Sequence, residues 1–340
     1  MGIDNLTALP LLQEVAVKAC LCKSPGPASD LVVEDISEPV AGPGETVVRV
    51  KACALNFFDT LIIQGKYQFK PDLPFSPGAE FAGIVESVGE GVTELSPGDR
   101  VMGYMRWGAA REKVAVRADD LVRLPEDVSF ETAAGLTVTY GTTLHAYRDR
   151  AGLRAGETVA VLGASGGVGQ AAVEIAAIMG AKVIACASSE EKLAFAQSLG
   201  AHHTVDYSRQ NLKDTLKELT GGKGVDVVYD PVGGDLSEQA LRATAWEGRF
   251  LVVGFASGDI PKIPLNLPLL KGCDIRGVFW GEALNRDPDG HRKNMAQLLD
   301  WVREGKLKPH VHAVYPLEQV AAALEEIAAR RVRGKVIVTP

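Results

Sequence analysis

The sequence predicts an α/β protein in which a doubly wound parallel sheet is inserted into a β-rich domain. Three observations support this fold class. An apolar run leads into a glycine-rich turn near residue 163, strand and helix patterns alternate over residues 157–280, and short strand patterns fill the preceding part of the chain. We expect residues 1–137 and 282–340 to form the β-rich domain, and residues 138–281 to form the domain of the parallel sheet.

Short strands are predicted in the N-terminal part of the chain, because apolar segments alternate there with Pro-Gly, Gly-Pro and Gly-Asp turns. Their predicted positions are Val15–Leu21, Leu31–Glu34, Glu45–Ala54, Glu80–Val88 and Arg100–Met102. After the parallel sheet we expect helices over about 290–304 and 317–330. A last strand, Lys335–Thr339, is predicted to rejoin the β-rich domain, which makes that domain discontinuous.

The parallel sheet is predicted from six strand patterns, with helical patterns between most of them. The six strands are expected at 157–162, 181–187, 203–207, 225–230, 248–255 and 274–280. The sixth strand is expected at the edge of the sheet, where unpaired backbone groups need a cover or a partner. We therefore expect a homodimer built partly on this edge. The alternative is that the apolar segment Ile263–Leu270 of the same chain covers it.

The most informative segment is a strand, a glycine turn and a helix in direct succession. Val159–Leu162 is an apolar run, Gly163–Gly169 contains four glycines, and Gln170–Met179 is an apolar helix. This arrangement lets backbone N–H groups at a helix N-terminus approach a pyrophosphate, as in Rossmann domains. The glycine register is imperfect, because Ala164 occupies the first position of a G-x-G-x-x-G pattern.

The end of the second parallel strand predicts which dinucleotide binds. An NAD site usually has an Asp or Glu there to bind the ribose 2′-hydroxyl. This chain instead has Ser188 and Ser189, followed by Lys192, while Tyr207 ends the third strand. Two hydroxyls and an ammonium suit a 2′-phosphate, which a carboxylate would repel. The sequence therefore favours NADPH over NADH.

The composition restricts the compartment and the partners. The net charge of −7 and the lack of a Lys/Arg block argue against nucleic acid or an anionic membrane surface as a partner. No stretch reaches the roughly 18 apolar residues of a membrane span, and the N-terminus lacks the features of a secretory signal. Five cysteines, mostly in apolar runs, indicate reduced, buried thiols in a cytoplasmic protein.

Seven motifs occur in an order that one enzyme family shares. They are Asn56–Thr60, Gly65–Tyr67, Pro77–Gly83, Val88–Val92, Gly98–Val101, Gly135–Gly141 and Gly163–Gly169. In these motifs the chain resembles the zinc-free quinone oxidoreductase branch of the medium-chain dehydrogenase/reductase superfamily, over nearly its whole length after residue 15. The resemblance implies a β-rich, GroES-like catalytic domain, an inserted Rossmann domain, a cleft between them, and a dimer or tetramer.

The residues themselves argue against a metal site. A zinc-dependent relative has a Cys where this chain has Asn56, and a His where it has Ala79. Neither replacement supplies the thiolate or imidazole that a catalytic zinc needs. Residues 101–123 contain no cysteine for a structural zinc, and Cys20-Leu-Cys22 has too short a spacing. We therefore expect no metal.

Without a Lewis acid, reduction of an electrophilic acceptor is the favoured chemistry. A quinone accepts hydride directly, so the protein mainly has to position the rings and donate hydrogen bonds to the developing oxyanion. The resemblance assigns this donor role to Asn56 and Tyr67, and it places Thr137 at the nicotinamide, in a helix that opens the nucleotide domain.

The resemblance also implies a set of cofactor-binding residues. Ser165, Gly166, Gly167 and Val168 are expected on the pyrophosphate, and Ser188, Lys192 and Tyr207 around the 2′-phosphate. Phe255, Ala256 and Ser257 follow the fifth parallel strand, while Val278, Phe279 and Trp280 end the sixth and flank the nicotinamide. Arg330 is expected at the adenosine phosphate, with Arg331 and Arg333 as close competitors.

Two other functions stay open at this stage. A reductase of α,β-unsaturated carbonyls or enoyl thioesters would use the same metal-free hydride chemistry. A protein of another class would bind NADPH without turnover. The sequence favours an NADPH-dependent quinone reductase, but it does not specify the physiological acceptor or the proton donor.

Overall fold

The structure is a computed structural model that describes residues 16–340. The predicted start of the first strand at Val15 and the expectation for the N-terminal segment lie outside the described residues. Two larger sheets and one strand pair make up the β-structure of residues 16–340, and helices pack around the parallel sheet.

A mixed, mainly antiparallel sheet of seven strands forms the β-rich part of the fold. The strands outside the parallel sheet are β1 (Ala16–Leu21), β2 (Val32–Ser37), β3 (Glu45–Leu55), β4 (Glu80–Val88), β5 (Arg100–Tyr104), β6 (Lys113–Arg117), β7 (Leu121–Arg123), β14 (Val311–Pro316) and β15 (Lys335–Thr339). The sheet has the order β14-β15-β3-β4-β5-β7, and β6 also pairs with β3. β1 and β2 pair separately. The last strand, β15, is antiparallel to β3 and parallel to β14.

The second sheet is parallel throughout. Its strands are β8 (Thr158–Leu162), β9 (Lys182–Ala187), β10 (His203–Asp206), β11 (Val225–Asp230), β12 (Thr244–Val252) and β13 (Asp274–Gly277). Their order is β10-β9-β8-β11-β12-β13, so the strand order reverses between β8 and β11, and β13 lies at the edge. Ligands bind at such a switch point, beyond the carboxyl ends of the strands. The predicted α/β class, a doubly wound parallel sheet with a β-rich domain, is confirmed, while the domain limits stay a prediction.

The helices connect and cover these strands. They are α1 (Phe57–Ile62), α2 (Phe130–Ala134), α3 (Thr139–Leu144), α4 (Gly167–Ile178), α5 (Glu190–Ser198), α6 (Leu212–Leu219), α7 (Asp235–Arg242), α8 (Asn266–Lys271), α9 (Trp280–Arg286), α10 (Pro288–Arg303) and α11 (Val320–Ala328). α3 continues as a π-helical segment, His145–Ala151. Short 3-10 helices span Ala28–Asp30, Ala118–Asp120 and Leu317–Gln319. Within residues 16–340, no helix is long and apolar enough to cross a membrane.

Several predicted boundaries were wrong. β12 ends at Val252 instead of residue 255, because the chain turns back through hydrogen bonds to Asp230 and Pro231. β13 ends at Gly277, and Trp280 begins a helix instead of ending a strand. α4 begins at Gly167, three residues earlier than predicted. The strands β6, β7 and β14 were not predicted.

The β-rich part and the cofactor turn meet at the start of β15. Gly334 N donates a hydrogen bond to Ser165 O at 3.0 Å, and Gly166 forms an isolated parallel bridge with Gly334. A side chain at Gly334 would have its Cβ 2.4 Å from His310 O, and the φ of Gly334 is +77°. Only glycine allows this approach without strain. The last strand therefore begins directly beside the predicted pyrophosphate site.

Candidate active site

Asn56 lies where β3 leads into α1, and its backbone is fixed by a buried carboxylate. Asn56 N donates to Asp59 Oδ2 at 2.7 Å, and Gly78 N donates to Asp59 Oδ1 at 3.0 Å. The carboxylate thus closes the first turn of α1 and holds the Pro77–Gly83 segment beside it. The backbone position of Asn56 is therefore determined by contacts that do not use its side chain.

The side-chain amide of Asn56 belongs to a polar cluster that is almost fully buried. Lys335 Nζ donates to Asn56 Oδ1 at 2.7 Å, and Asn56 Nδ2 donates to Glu80 Oε1 at 3.0 Å. Lys335 also donates to Glu80 Oε1 at 2.7 Å, and the two residues are 2% and 0% exposed. An ammonium can only donate and a carboxylate only accepts, so this pair fixes which end of the amide is oxygen. One N–H of the amide remains without a partner among the described residues.

Asp59, Glu80, Lys335 and Asn56 together form what we call the buried polar cluster. It contains two carboxylates and a single ammonium. Burial raises the pKa of Asp59 to about 7, because desolvation outweighs its two backbone hydrogen bonds and the charge of Lys335, and the nearby Glu80 raises it further. A proton therefore occupies this cluster for part of the time near neutral pH.

The cluster also connects to the nicotinamide side of the predicted cofactor site. Glu80 Oε2 accepts a hydrogen bond from Val138 N at 2.7 Å. The neighbouring residue Thr137 is 2% exposed, and its hydroxyl oxygen has no hydrogen-bond partner among the described residues. Thr137 lies in the turn before α3, and not inside a helix as predicted. A buried hydroxyl without a partner fits a role toward a bound ligand.

Two tyrosines contribute further hydroxyl groups near the cluster. Tyr67 stacks on Phe58 with ring centroids 5.4 Å apart, and Tyr104 meets Trp280 edge-on at 5.0 Å. Burial raises the pKa of Tyr67, and the nearby Asp59 raises it further. Burial also raises the pKa of Tyr104, and the nearby Tyr67 adds to that rise. Both hydroxyls therefore stay protonated at neutral pH and can donate a hydrogen bond.

The two positions expected to carry zinc ligands in a zinc enzyme carry none here. Asn56 is held by its partners in the buried polar cluster, and Ala79 is a buried alanine that precedes Glu80. Cys53 lies nearby, but burial raises its pKa well above the usual value, so it remains a thiol. Throughout residues 16–340, no three His, Cys, Asp or Glu side chains converge to form a metal site.

The glycine turn has the shape that a pyrophosphate site requires. Gly163 has a φ of +60°, and a Cβ at Gly169 would lie 2.1 Å from Gly163 O. A Cβ at Gly166 would meet only Gly163 O, at 3.6 Å, so the turn is open on the other side. Gly167 and Val168 form the first turn of α4, and no side chain caps their N–H groups. Such N–H groups bind anions.

The residues expected around the 2′-phosphate lie together. Lys192 Nζ donates to Ser188 Oγ at 3.4 Å and forms no ion pair with the described residues. Ser189 caps α5 instead of facing the site. Burial raises the pKa of Tyr207, while the nearby Ser188 hydroxyl and the charge of Arg330 lower it, so these groups are neighbours. The group thus presents two hydroxyls and two cations to a ligand.

Of the three candidate arginines, Arg330 reaches toward the cofactor site. Its guanidinium donates to Ala256 O at 2.8 Å and to Ser257 O at 3.3 Å. Arg331 instead pairs with Glu326, and Arg333 pairs with Glu191. Arg330 has a φ of +57°, which non-glycine residues adopt rarely. The loop after β12, where Phe255 is 37% exposed, is thereby tied to the chain just before β15.

The three residues predicted on the nicotinamide have different surroundings. Val278 is buried, and its N–H bonds to Val252 O at 2.9 Å. Trp280 is 7% exposed and packs between the rings of Tyr104 and His291. Phe279, in contrast, is 50% exposed. Of the three, Phe279 therefore offers the most free surface to a ligand.

Sequence reasoning missed several residues that the structure brings to this site. They are Asp59, Glu80, Tyr104, Arg106 and Lys335. A signal existed for two of them, because Glu80 and Lys335 are charged residues that each begin a strand and are directly followed by apolar residues. A charge in that position is either exposed at the strand end or paired in the interior, and the sequence alone does not distinguish these cases.

Comparisons with known proteins agree with this architecture. Residues 42–126 match the alcohol dehydrogenase GroES-like domain, and residues 167–304 match the zinc-binding dehydrogenase family. The chain is 42% identical over 325 residues to a quinone oxidoreductase-like protein 2 homolog of Nematostella vectensis. This alignment covers 94% of this chain and 88% of that protein.

Solved structures give the same result. A quinone oxidoreductase of Pseudomonas syringae superposes with a TM-score of 0.89 at 35% identity, covering 95% of this chain and 100% of that one. The Escherichia coli quinone oxidoreductase complexed with NADPH superposes with a TM-score of 0.87 at 30% identity, covering 96% and 99%. The protein therefore belongs to the zinc-free quinone oxidoreductase branch of the medium-chain dehydrogenase/reductase superfamily.

Proposed function

We propose that this protein transfers a hydride from NADPH to quinones without the help of zinc. The observation that carries the proposal is the Asn56 amide, whose orientation Lys335 and Glu80 fix and whose second N–H has no partner within residues 16–340. A rigid, neutral donor of this kind stabilises an oxyanion as it forms, and it needs no reorganisation to do so.

The residues act mainly by binding and by donating hydrogen bonds. Bound NADPH supplies the hydride. Asn56 donates its free N–H to the quinone oxygen that becomes negative, and the hydroxyl of Tyr67 is the second donor. Because each donor keeps its own proton at neutral pH, the hydroquinone takes its proton from water. The buried polar cluster keeps the amide in place throughout.

The residues present fit the cofactor. The open turn at Gly166 and the uncapped first turn of α4 would hold the pyrophosphate, and the unpartnered hydroxyl of Thr137 would face the nicotinamide. Ser188, Lys192, Tyr207 and Arg330 would surround the 2′-phosphate. The Escherichia coli relative solved with NADPH supports this cofactor choice. The five free, buried thiols fit the reducing conditions of the cytoplasm.

A panel of acceptors tests the proposed reaction. We expect NADPH oxidation to be faster with quinones than with 2-alkenals or enoyl thioesters, and the Tyr67→Phe variant to lose part of this rate. Turnover of only alkenals or enoyl thioesters would contradict the proposal and would identify the protein as a reductase of those compounds. NADPH binding without turnover of any acceptor would indicate a binding protein.

The first prediction concerns cofactor preference. The wild type is expected to bind NADPH more tightly than NADH, because Ser188 and Lys192 follow the end of β9, where an NAD site usually has an acidic residue. A hydrogen bond to a charged group contributes about 1.5–3 kcal/mol, so Lys192→Ala should weaken NADPH binding by about tenfold or more. Fluorescence titration of both cofactors measures this, with Lys182→Ala as the control. Equal affinities of the wild type for both cofactors would disprove the preference.

The second prediction concerns metal. Dialysis against a strong chelator is expected to leave turnover unchanged, since Asn56 and Ala79 provide neither a thiolate nor an imidazole. Elemental analysis should find less than one zinc per chain. Stoichiometric zinc together with a loss of turnover on its removal would contradict the proposal.

The third prediction concerns assembly. We propose a homodimer formed at the β13 edge, because β13 pairs only with β12 among the described strands. In the segment Ile263–Leu270 only one leucine, Leu267, is buried, whereas Leu265 is 80%, Leu269 78% and Leu270 71% exposed. Exposed leucines on the segment that leads into β13, together with an unpaired strand edge, are typical of a surface that a partner covers.

Light scattering at micromolar concentration checks the dimer. The wild type is expected to have twice the mass of one chain, and the double variant Leu269→Asp/Leu270→Asp is expected to be monomeric. Val40→Asp is the control, because Val40 is equally exposed but lies between β2 and β3. A monomeric wild type would rule out this interface.

A further inference from the structure

An aromatic wall runs from the proposed donor Tyr67 to the start of α9. It consists of Phe58, Tyr67, Phe69 and Phe279. Phe58 and Tyr67 stack at 5.4 Å between ring centroids, Tyr67 meets Phe69 edge-on at 5.8 Å, and Phe69 stacks on Phe279 at 6.4 Å. Phe279 keeps half of its surface exposed. The wall therefore joins α1 and the loop after it to the chain after β13, and the exposed ring of Phe279 at its end offers an apolar surface to another ring.

A cation lies on this wall. The guanidinium carbon of Arg106 is 4.9 Å from the centroid of the Phe69 ring. Arg106 has a φ of +56°, in the left-handed region that a residue with a Cβ adopts rarely. Such a conformation persists only where the surrounding structure holds it, and it occurs often at ligand sites. The guanidinium is thus directed over the wall by a backbone conformation that is itself costly.

Arg106 has no counter-ion within residues 16–340. Glu282 lies in electrostatic range of Arg106, but this carboxylate is already bonded to Arg286 at 2.8 Å. The hydrogen bond from Arg286 has the largest effect on the pKa of Glu282 and lowers it. The charge of Arg106 also lowers this pKa, but by the smallest amount. The charge of Arg106 also lowers the pKa of Tyr104, although burial raises that pKa overall. Arg106 thus lies close to the site and remains free to bind an anion.

We propose that the preferred acceptor is a planar quinone that carries an acidic substituent. This inference rests on the proposed function. The quinone ring would lie against the exposed Phe279, and the acidic group would bind the Arg106 guanidinium. Aromatic rings pack favourably at such distances. A planar guanidinium forms two parallel hydrogen bonds with a carboxylate or sulfonate, which a neutral quinone cannot accept in that geometry.

The test compares a neutral and an acidic quinone: 1,4-naphthoquinone and 1,4-naphthoquinone-2-sulfonate. Because the two quinones differ in reactivity, each is compared between protein variants and not with the other quinone. We expect Arg106→Met to lower kcat/KM for the sulfonate about tenfold or more, the size of one lost charged hydrogen bond. The value for the neutral quinone should change less than twofold, and Arg106→Lys should recover part of the loss.

Lys70→Met is the matched control, since it removes an exposed cation that directly follows Phe69, the ring under the Arg106 guanidinium. An equal effect of Lys70→Met on the sulfonate would attribute the preference to the general field of the surface, and would overturn the role of Arg106. An equal loss of kcat/KM for both quinones in Arg106→Met would also overturn this role, because Arg106 would then be a packing residue of the wall. No turnover of either quinone by the wild type would overturn the proposed function, and this inference with it.

Discussion

Replacing Asn56 by Ala is expected to lower kcat for quinone reduction by about 10²–10³, the effect of removing one donor from an oxyanion site. The amide is held by Lys335 and Glu80 before any acceptor binds, so its free N–H is aimed without further ordering. The loss should fall on kcat more than on KM, because the donor bonds most strongly to the charge that develops during hydride transfer. Steady-state kinetics at saturating NADPH measure both constants.

Gln64→Ala serves as the control for this variant. Gln64 is another amide near α1, but it is only half-buried, and its Nε2 donates to Thr60 O at 2.9 Å and takes no part in the buried polar cluster. Asn56→Ala should be the less stable of the two, because it removes two buried hydrogen bonds of Lys335 and Glu80. Both variants should still fold and bind NADPH with similar affinity, and only Asn56→Ala should lose turnover. An unchanged kcat in Asn56→Ala would show that the oxyanion is stabilised elsewhere, for example by the two tyrosines.

Replacing Lys335 by Met is expected to lower the free energy of unfolding by about 3–5 kcal/mol, the usual cost of removing one partner of a buried ion pair. Glu80 is fully buried and has Lys335 as its cation at 2.7 Å. The methionine fills a similar volume, so the loss reflects the carboxylate that is left uncompensated. Urea unfolding followed by circular dichroism measures it.

The double variant Lys335→Met/Glu80→Gln separates charge from packing. Glutamine keeps the shape of Glu80 and can still accept from Val138 N, but it carries no charge to leave unpaired. The double variant should therefore be more stable than Lys335→Met alone. If the double variant is no more stable than the single one, the loss comes from packing and not from an isolated charge.

Local patterns were sufficient to predict most of the fold. The strands β4, β11 and β15 have the predicted bounds, because each is a segment rich in β-branched and other apolar residues. The sheet edge at β13 was also predicted. β6 and β14 were missed. Each is a short segment that mixes polar and apolar residues, so its sequence resembles an exposed loop until the neighbouring strands are known.

The site was harder to predict than the fold, because it depends on contacts between distant parts of the chain. Asn56 and Tyr67 could be named from the resemblance, but their partners could not. Lys335 looks like an exposed charge at the start of a strand, and only the pairing of β15 with β3 places it inside, beside Asn56. Arg106 gave no signal, since its position depends on a single left-handed residue after β5.

The position of β15 has a consequence for how the chain folds. Lys335 contacts Asn56 across 279 residues of sequence and Glu80 across 255, and the entire parallel sheet lies within both of these loops. Closing so long a loop has a high entropic cost, and contacts of this range form slowly. The parallel sheet can assemble from its own, closer neighbours, whereas the amide acquires its orientation only when the first and last parts of the chain have met. A refolding population would thus contain molecules that are rich in secondary structure but still lack an ordered oxyanion donor.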